Sequence, residues 1–214
     1  GALFTVPKHF IGAMCTVDAF GKSVDTFVEV LDTTAVEKVA GRTTYGRVID
    51  WDGKPVSGVS VSDGVFVTKT DSDGRYYLAS MRKNGYVFIS VPKNYRVAVN
   101  RTIPQFFKRF KSAVSSDYEL NTFILAPEKN SKHRMLAFTD CHLANRTNDI
   151  SQFDQMFKDD VRKQIAKAKN ESMPLYSVSL GDLSWDSWWY QNSYSIENYY
   201  RKMEDLDIPI YNIP

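Results

Sequence analysis

Between Thr44 and Pro92, short apolar runs ("TYGRVID", "VSVSDGVFVTKT", "RYYLASM", "NGYVFISVP") alternate with Asp52-Gly53, Asp63-Gly64, Asp73-Gly74 and Asn84-Gly85. β-Branched and aromatic residues suit a pleated surface, and Asx-Gly pairs accept the positive φ angles of tight turns. Turn signals spaced about ten residues apart predict a small antiparallel β-sandwich. "DYELNTFIL", residues 117–125, alternates Tyr118, Leu120, Thr122 and Ile124 on one face and supplies a last strand. Residues 1–42 hold no sustained period, and "VDTFVEVLDTTAVEKVAG" fits a strand or a short helix equally well.

After the polar "APEKNSK" the period changes. "RMLAFTD" is a compact apolar strand, and Ile150, Phe153, Phe157, Val161, Ile165 and Ala168 then recur at steps of three and four, the stripe of an amphipathic helix. "MPLYSVSLGD" is a second buried-type strand; Ile196, Tyr199 or Tyr200, Met203 and Leu206 predict a second helix before "IPIYNIP" opens a third strand. Strand, helix, strand, helix, strand is the order of parallel βαβ units. The domains expected are therefore an N-terminal segment 1–42, an all-β sandwich 43–127 and an α/β region 128–214, with the boundary in the Pro-bearing linker.

Composition narrows the partners. Lys and Arg number 27 against 25 acidic residues, a net charge of +2, which gives no reason to expect nucleic acid as the main partner. No run approaches the roughly 18 apolar residues of a transmembrane span. Cys15 and Cys141 form neither a disulfide framework nor a zinc-knuckle spacing.

Open parallel sheets bind ligands at the carboxyl ends of their strands. Asp140 and His142 close the first strand of the α/β region and Asp182 closes the second. If those strands are neighbours, their axes lie about 4.8 Å apart and three donors converge. Carboxylate oxygen with imidazole nitrogen suits Mn, Fe or Zn, and a pair of such ions clamps and activates a phosphoryl group. Cys141, between two donors in an extended segment, points away from them and reads as a packed small residue. His9 and His133 lack partners at ligand spacing and read as surface or core-edge residues.

"TDCH" and "GDLSWD" carry the Asp-x-His and Gly-Asp-x-x-x-Asp motifs, and with a βαβ unit between them the chain resembles the calcineurin-like metallophosphoesterases. The resemblance implies Asp140 and His142 as ligands of a first metal, Asp182 as the carboxylate bridging two metals, and Asp186 as a supporting carboxylate. It implies two divalent or trivalent ions (Mn, Fe or Zn), an αββα catalytic domain, and hydrolysis of phosphate mono- or diesters. "GRVIDWDGKPVSGVSVSDGVFVTKTDSDGRYYLASMRKNGYVFISVP" is similar to the prealbumin-like, carboxypeptidase-regulatory-type module that precedes this domain in some bacterial members, which implies export to the periplasm or envelope. The family's next motif, Gly-Asn-His-Asp or Gly-Asn-His-Glu after a third strand, is not reached; Asn212 stands inside that strand without a following His. The catalytic His is therefore expected beyond Pro214, the second metal site is expected to be incomplete, and the chain is expected to be inactive alone. Apolar surface meant for further strands is expected to be exposed and to favour self-association.

Other stretches carry alternatives. "WDSWWYQNSY" follows Asp182; most of it reads as packing, with Trp185, Trp188 and Trp189 the candidates for a wall that stacks on substrate. "QFFKRFK", residues 105–111, reads as a loop whose Phe residues pack while Lys108, Arg109 and Lys111 stay wet, the other reading being contact with a membrane surface or polyanion. "DSDG" at 71–74 is a hairpin turn, since a calcium loop needs Gly sixth and Glu twelfth, where this chain has Gly74 fourth and Arg82 twelfth. The competing function is a non-catalytic envelope-, glycan- or partner-binding sandwich. A nucleotide-binding fold is disfavoured because no glycine-rich phosphate loop follows the strands.

Overall fold

The structure, a computed structural model, describes residues 7–19, 21–185 and 194–213. The chain divides into two compact units, one comprising residues 1–98 and 105–128, the other 99–104 and 129–214.

In the first unit, β1 (Gly12–Ala19) and β2 (Lys22–Glu29) form an antiparallel hairpin, which resolves residues 24–29 of the ambiguous segment as strand, while residues 30–38 form no regular element. The next strands are β3 (Thr44–Asp50), β4 (Ser60–Ser62), β5 (Val67–Lys69), β6 (Arg75–Leu78), β7 (Tyr86–Ile89) and β8 (Tyr95–Arg96). The short β9 (Val99–Asn100) and β10 (Ile103–Pro104) pair with each other and belong to the second unit. β11 (Phe107–Arg109), β12 (Glu119–Leu120) and β13 (Phe123–Pro127) complete the first. One sheet runs β11-β7-β4-β5; in the other, β3 pairs with β6 on one side and with β12 and β13 on the other, and β8 pairs with β13. Val61, Val87 and Ile89 from the first sheet meet Val48, Tyr76, Phe123 and Leu125 from the second in one buried cluster, so the unit is a β-sandwich.

Two expectations need correction here. The sandwich is not wholly antiparallel, because β12 and β13 run parallel to β3. The inward face of residues 117–125 is also the opposite one: Glu119, Asn121, Phe123 and Leu125 are buried, whereas Tyr118 is exposed. β12 and β13 keep one register against β3 across Asn121–Thr122, so a single alternation runs through both. There the Asn121 carbonyl accepts from the Tyr76 hydroxyl at 2.6 Å and comes so close to Gly46 that a Cβ there would lie 2.0 Å from it. Glu119 enters the core because Arg82 is there to meet it.

"QFFKRFK" is strand rather than loop at its centre: β11 pairs with β7. Phe106 and Phe110 pack into the core. Lys108 is not wet, since its ammonium bonds Glu29 at 2.8 Å and lies 5.6 Å from the Phe123 ring centre. "DSDG" makes the β5–β6 turn, with the Asp71 carboxylate accepting from the backbone N–H groups of Asp73 and Arg75. Both cysteines are free.

The second unit centres on three parallel strands in the order β14 (Arg134–Phe138), β15 (Leu175–Leu180) and β16 (Ile210–Ile213). Between β14 and β15 the chain forms α1 (Asp149–Gln152), one π turn (Phe153–Phe157) and α2 (Lys158–Asn170). Helical backbone runs unbroken from Asp149 to Asn170; acidic Asp149 opens it, and Lys167 and Lys169 close it, which complements the helix dipole. Ser172, at φ 50°, turns the chain out of the helix, with the Met173 N–H bonded to the Ala168 carbonyl. α3 (Ile196–Met203) is capped by the Ser195 hydroxyl, which accepts from the Asn198 N–H.

Phe153, Val161, Ile165, Tyr199, Met203 and Leu206 form one cluster with Ile210 and the partly buried Leu136 and Phe138. Ser177 and Ser179, both fully buried on β15, leave room for the buried Tyr199 ring. On the other sheet face Met135, Leu180 and Ile213 are each more than half exposed. Among the described residues, no helix is long and apolar enough to cross a membrane.

Candidate metal centre

β14 and β15 are adjacent, with Phe138 opposite Ser179, so the segments that follow them leave the sheet side by side. They remain paired beyond its edge. The Asp140 N–H donates to the Gly181 carbonyl at 3.2 Å, His142 N–H to Asp182 at 2.9 Å, Leu143 N–H to Leu183 at 3.2 Å, and Trp185 N–H to Leu143 at 2.9 Å. The pairing closes on a parallel bridge between Leu143 and Ser184 that keeps the strand register. Buried Leu143 and Leu183 anchor both segments in the helix-side core.

Asp140, His142 and Asp182 all adopt left-handed backbone, at φ 54°, 40° and 51°. Asp and His enter this region more readily than most L residues, yet it still costs conformational energy and concentrates at functional sites. One carboxylate oxygen from each Asp and one ring nitrogen of His142 lie within 4.8 Å of one another, with Nε2 of His142 3.5 Å from Oδ1 of Asp140. Both carboxylates are exposed and the imidazole is half-buried, so solvent reaches the donors. An ion with ligand bonds of about 2.0–2.2 Å brings its donors to at most about 4.4 Å apart. Donors at neighbouring corners of a tetrahedral or octahedral ion lie only about 3.0–3.6 Å apart, so closing this triad around one ion draws its widest pair in by about an ångström; its O, N, O donor set suits Mn, Fe or Zn.

Trp185 stacks on His142 at 4.7 Å between ring centres and 28° between planes. Asp186, Trp188 and Trp189 lie outside the described residues. Cys141 packs against the helix-side core, and burial, reinforced by the Asp140 charge, pushes its thiol up to about 11; it remains a protonated packing residue. His9 stacks on Trp51, and His133 contacts Tyr176. Asn212 sits in β16 opposite Ser179.

Sequence reasoning missed the residues beside the triad. A hollow of about 460 Å³ runs from Asp140 and His142 to the π turn. Arg146, Asp149, Gln152 and Met156 are on its wall, and the Arg146 Nε–H donates to Asp149 Oδ2 at 2.6 Å. Arg146 and Asp149 at three-residue spacing after the Asp-x-His motif are the only signal the sequence carried.

Residues 42–127 match the family model described as the N terminal of calcineurin-like phosphoesterase. That match supports a calcineurin-like phosphoesterase at a coarse level. It covers the sandwich; the Asp140–His142–Asp182 triad lies outside it and stands on its own geometry. No curated protein matches the chain. One solved structure, titled "Structure of the Streptococcal ancillary pilin", aligns over 56% of this chain at 13% identity and a TM-score of 0.28, and the chain spans 46% of that chain's length.

Proposed function

We propose that this chain carries the first metal-binding half of a metallophosphoesterase centre, in a protein that hydrolyses phosphate mono- or diesters. The observation that carries the reading is the convergence of Asp140, His142 and Asp182 within 4.8 Å at the ends of two paired parallel strands. The sandwich of residues 42–127 is, on this reading, the prealbumin-like module that precedes the αββα catalytic domain in bacterial members, and the protein is exported.

Asp140 and His142 would hold a first ion, and Asp182 would hold it from the neighbouring strand. A divalent ion bound here supplies Lewis acidity toward the phosphoryl oxygens and acidifies water at neutral pH. The chain's own part is positional. The ladder of main-chain bonds from Asp140 to Trp185 fixes the separation of the donors, and the Trp185 ring restrains the plane of the His142 imidazole. A second ion would take donors beyond this triad.

Metal analysis of the purified chain after Mn²⁺ loading and desalting tests this. About one ion per chain is expected, lost in Asp182→Ala. Equal metal content in the variant overturns the assignment of the triad.

A further inference from the structure

We propose that the hollow between Asp140–His142 and the π turn seats the leaving alcohol of the ester and selects flat apolar or aryl alcohols over small polar or anionic ones. The inference rests on the phosphoesterase reading and deepens it by naming a substrate class.

The position comes first. The hollow of about 460 Å³ shares Asp140 and His142 with the candidate centre and lies within the size range of small-molecule sites. A phosphorus atom held at those donors would have this space within reach of its substituents.

Lining chemistry gives the class of occupant. Phe153 and Phe157 stack at 4.8 Å and 23°, and together with Met156 they form an apolar wall. Met156 is 65% exposed, a flexible, polarisable side chain standing in water next to two rings, suited to close over an aromatic guest. These three residues belong to the one π turn among the described residues, a rare geometry that recurs at functional sites.

The wall gives a second phosphate no charge of its own to hold. Arg146 brings one positive charge there, and Asp149 holds its Nε–H at 2.6 Å and offsets it. Away from the ion the hollow therefore favours a neutral, apolar leaving group.

The test uses the full chain loaded with Mn²⁺ and two non-hydrolysable probes, phenylphosphonate and methylphosphonate, with Kd values from calorimetry and Mn²⁺ affinity measured separately by electron paramagnetic resonance. Phenylphosphonate is expected to bind about tenfold or more tightly than methylphosphonate, from the apolar area buried. Met156→Gln, neutral and at an exposed position, should erase most of that preference, with Mn²⁺ affinity measured in parallel. Normal Mn²⁺ binding with equal affinity for the two probes overturns the pocket while leaving the metal site standing. A preference that survives Met156→Gln overturns the assignment to this hollow. Failure of the chain to bind Mn²⁺ overturns the phosphoesterase reading and the pocket with it.

Discussion

The backbone N–H of His142 donates to the carbonyl of Asp182 at 2.9 Å, so candidate ligands from two different strands are fastened to each other by main chain. Their side chains are left to an ion rather than to the fold. Asp182→Asn keeps that bond and removes a carboxylate charge at an exposed position. Mn²⁺ affinity is expected to fall by roughly 100-fold or more, since even the outer partners of metal ligands are worth 10–100-fold. The melting temperature of the metal-free chain should move by less than about 2 °C. Paired metal titration and thermal melts check this, and a large loss of stability would make Asp182 a structural residue.

Arg82 is the charge that holds the sandwich's irregular segment. Its side chain is fully buried, its guanidinium reaches Glu119 at 3.3 Å and the Ser112 carbonyl at 2.7 Å, and it also donates to the Asp117 carbonyl. Glu119 in turn accepts from the Lys111 N–H. Arg82→Ala strands a buried carboxylate and is expected to cost about 3–5 kcal/mol in urea unfolding. Arg82→Met combined with Glu119→Gln should recover part of that loss, because no unpaired charge remains.

Asp63 gives the sandwich an acid limit. Burial acts to raise its carboxyl pKa, but bonds from the Phe66 N–H, the Ser80 hydroxyl and the Val65 N–H outweigh it and hold the group below its ordinary 3.8. The unfolded chain then binds the proton more readily. The stability contributed by Asp63 is complete above about pH 4 and is lost as pH falls through the depressed folded value. Asp63→Asn keeps an oxygen for the backbone donors and loses the acceptor for Ser80. It should destabilise by about 1–3 kcal/mol at pH 7, and the gap from the parent should narrow below pH 4 in denaturant melts.

What the sequence could reveal depended on whether the signal was local. The four Asx-Gly turns, the stripe from Phe153 to Ala168 and the two ligand-bearing strand ends were readable because each lies within one turn, one helix face or one strand. The parallel pairing of β3 with β12 and β13, the reversed face at Glu119 and the ion-paired Lys108 were not. Each depends on a partner distant in sequence: the Asn121 carbonyl against Gly46, Arg82 against Glu119, Glu29 against Lys108. At the candidate centre, residue types and spacing named the triad. Its left-handed backbone, the ladder joining the two segments and the hollow lined by Arg146 needed the coordinates.

Gly181 separates stability from site geometry. It sits at φ 108°, where an L side chain is strained, and its carbonyl accepts from the Asp140 N–H at 3.2 Å. Gly181→Ala is expected to cost about 1–2 kcal/mol of backbone strain. The chain can relieve that strain by rotating this peptide, which moves the Asp140 anchor away from Asp182. Mn²⁺ affinity should therefore fall by about tenfold, the size of effect seen when a partner that orients a ligand is disturbed. Gly53→Ala is the control: Gly53 lies in a sandwich turn at φ 79° with open space around the added methyl group. It should lose similar stability and keep full Mn²⁺ affinity. Equal affinity losses in both variants would mean that binding follows global stability rather than the junction of Asp140 with Gly181.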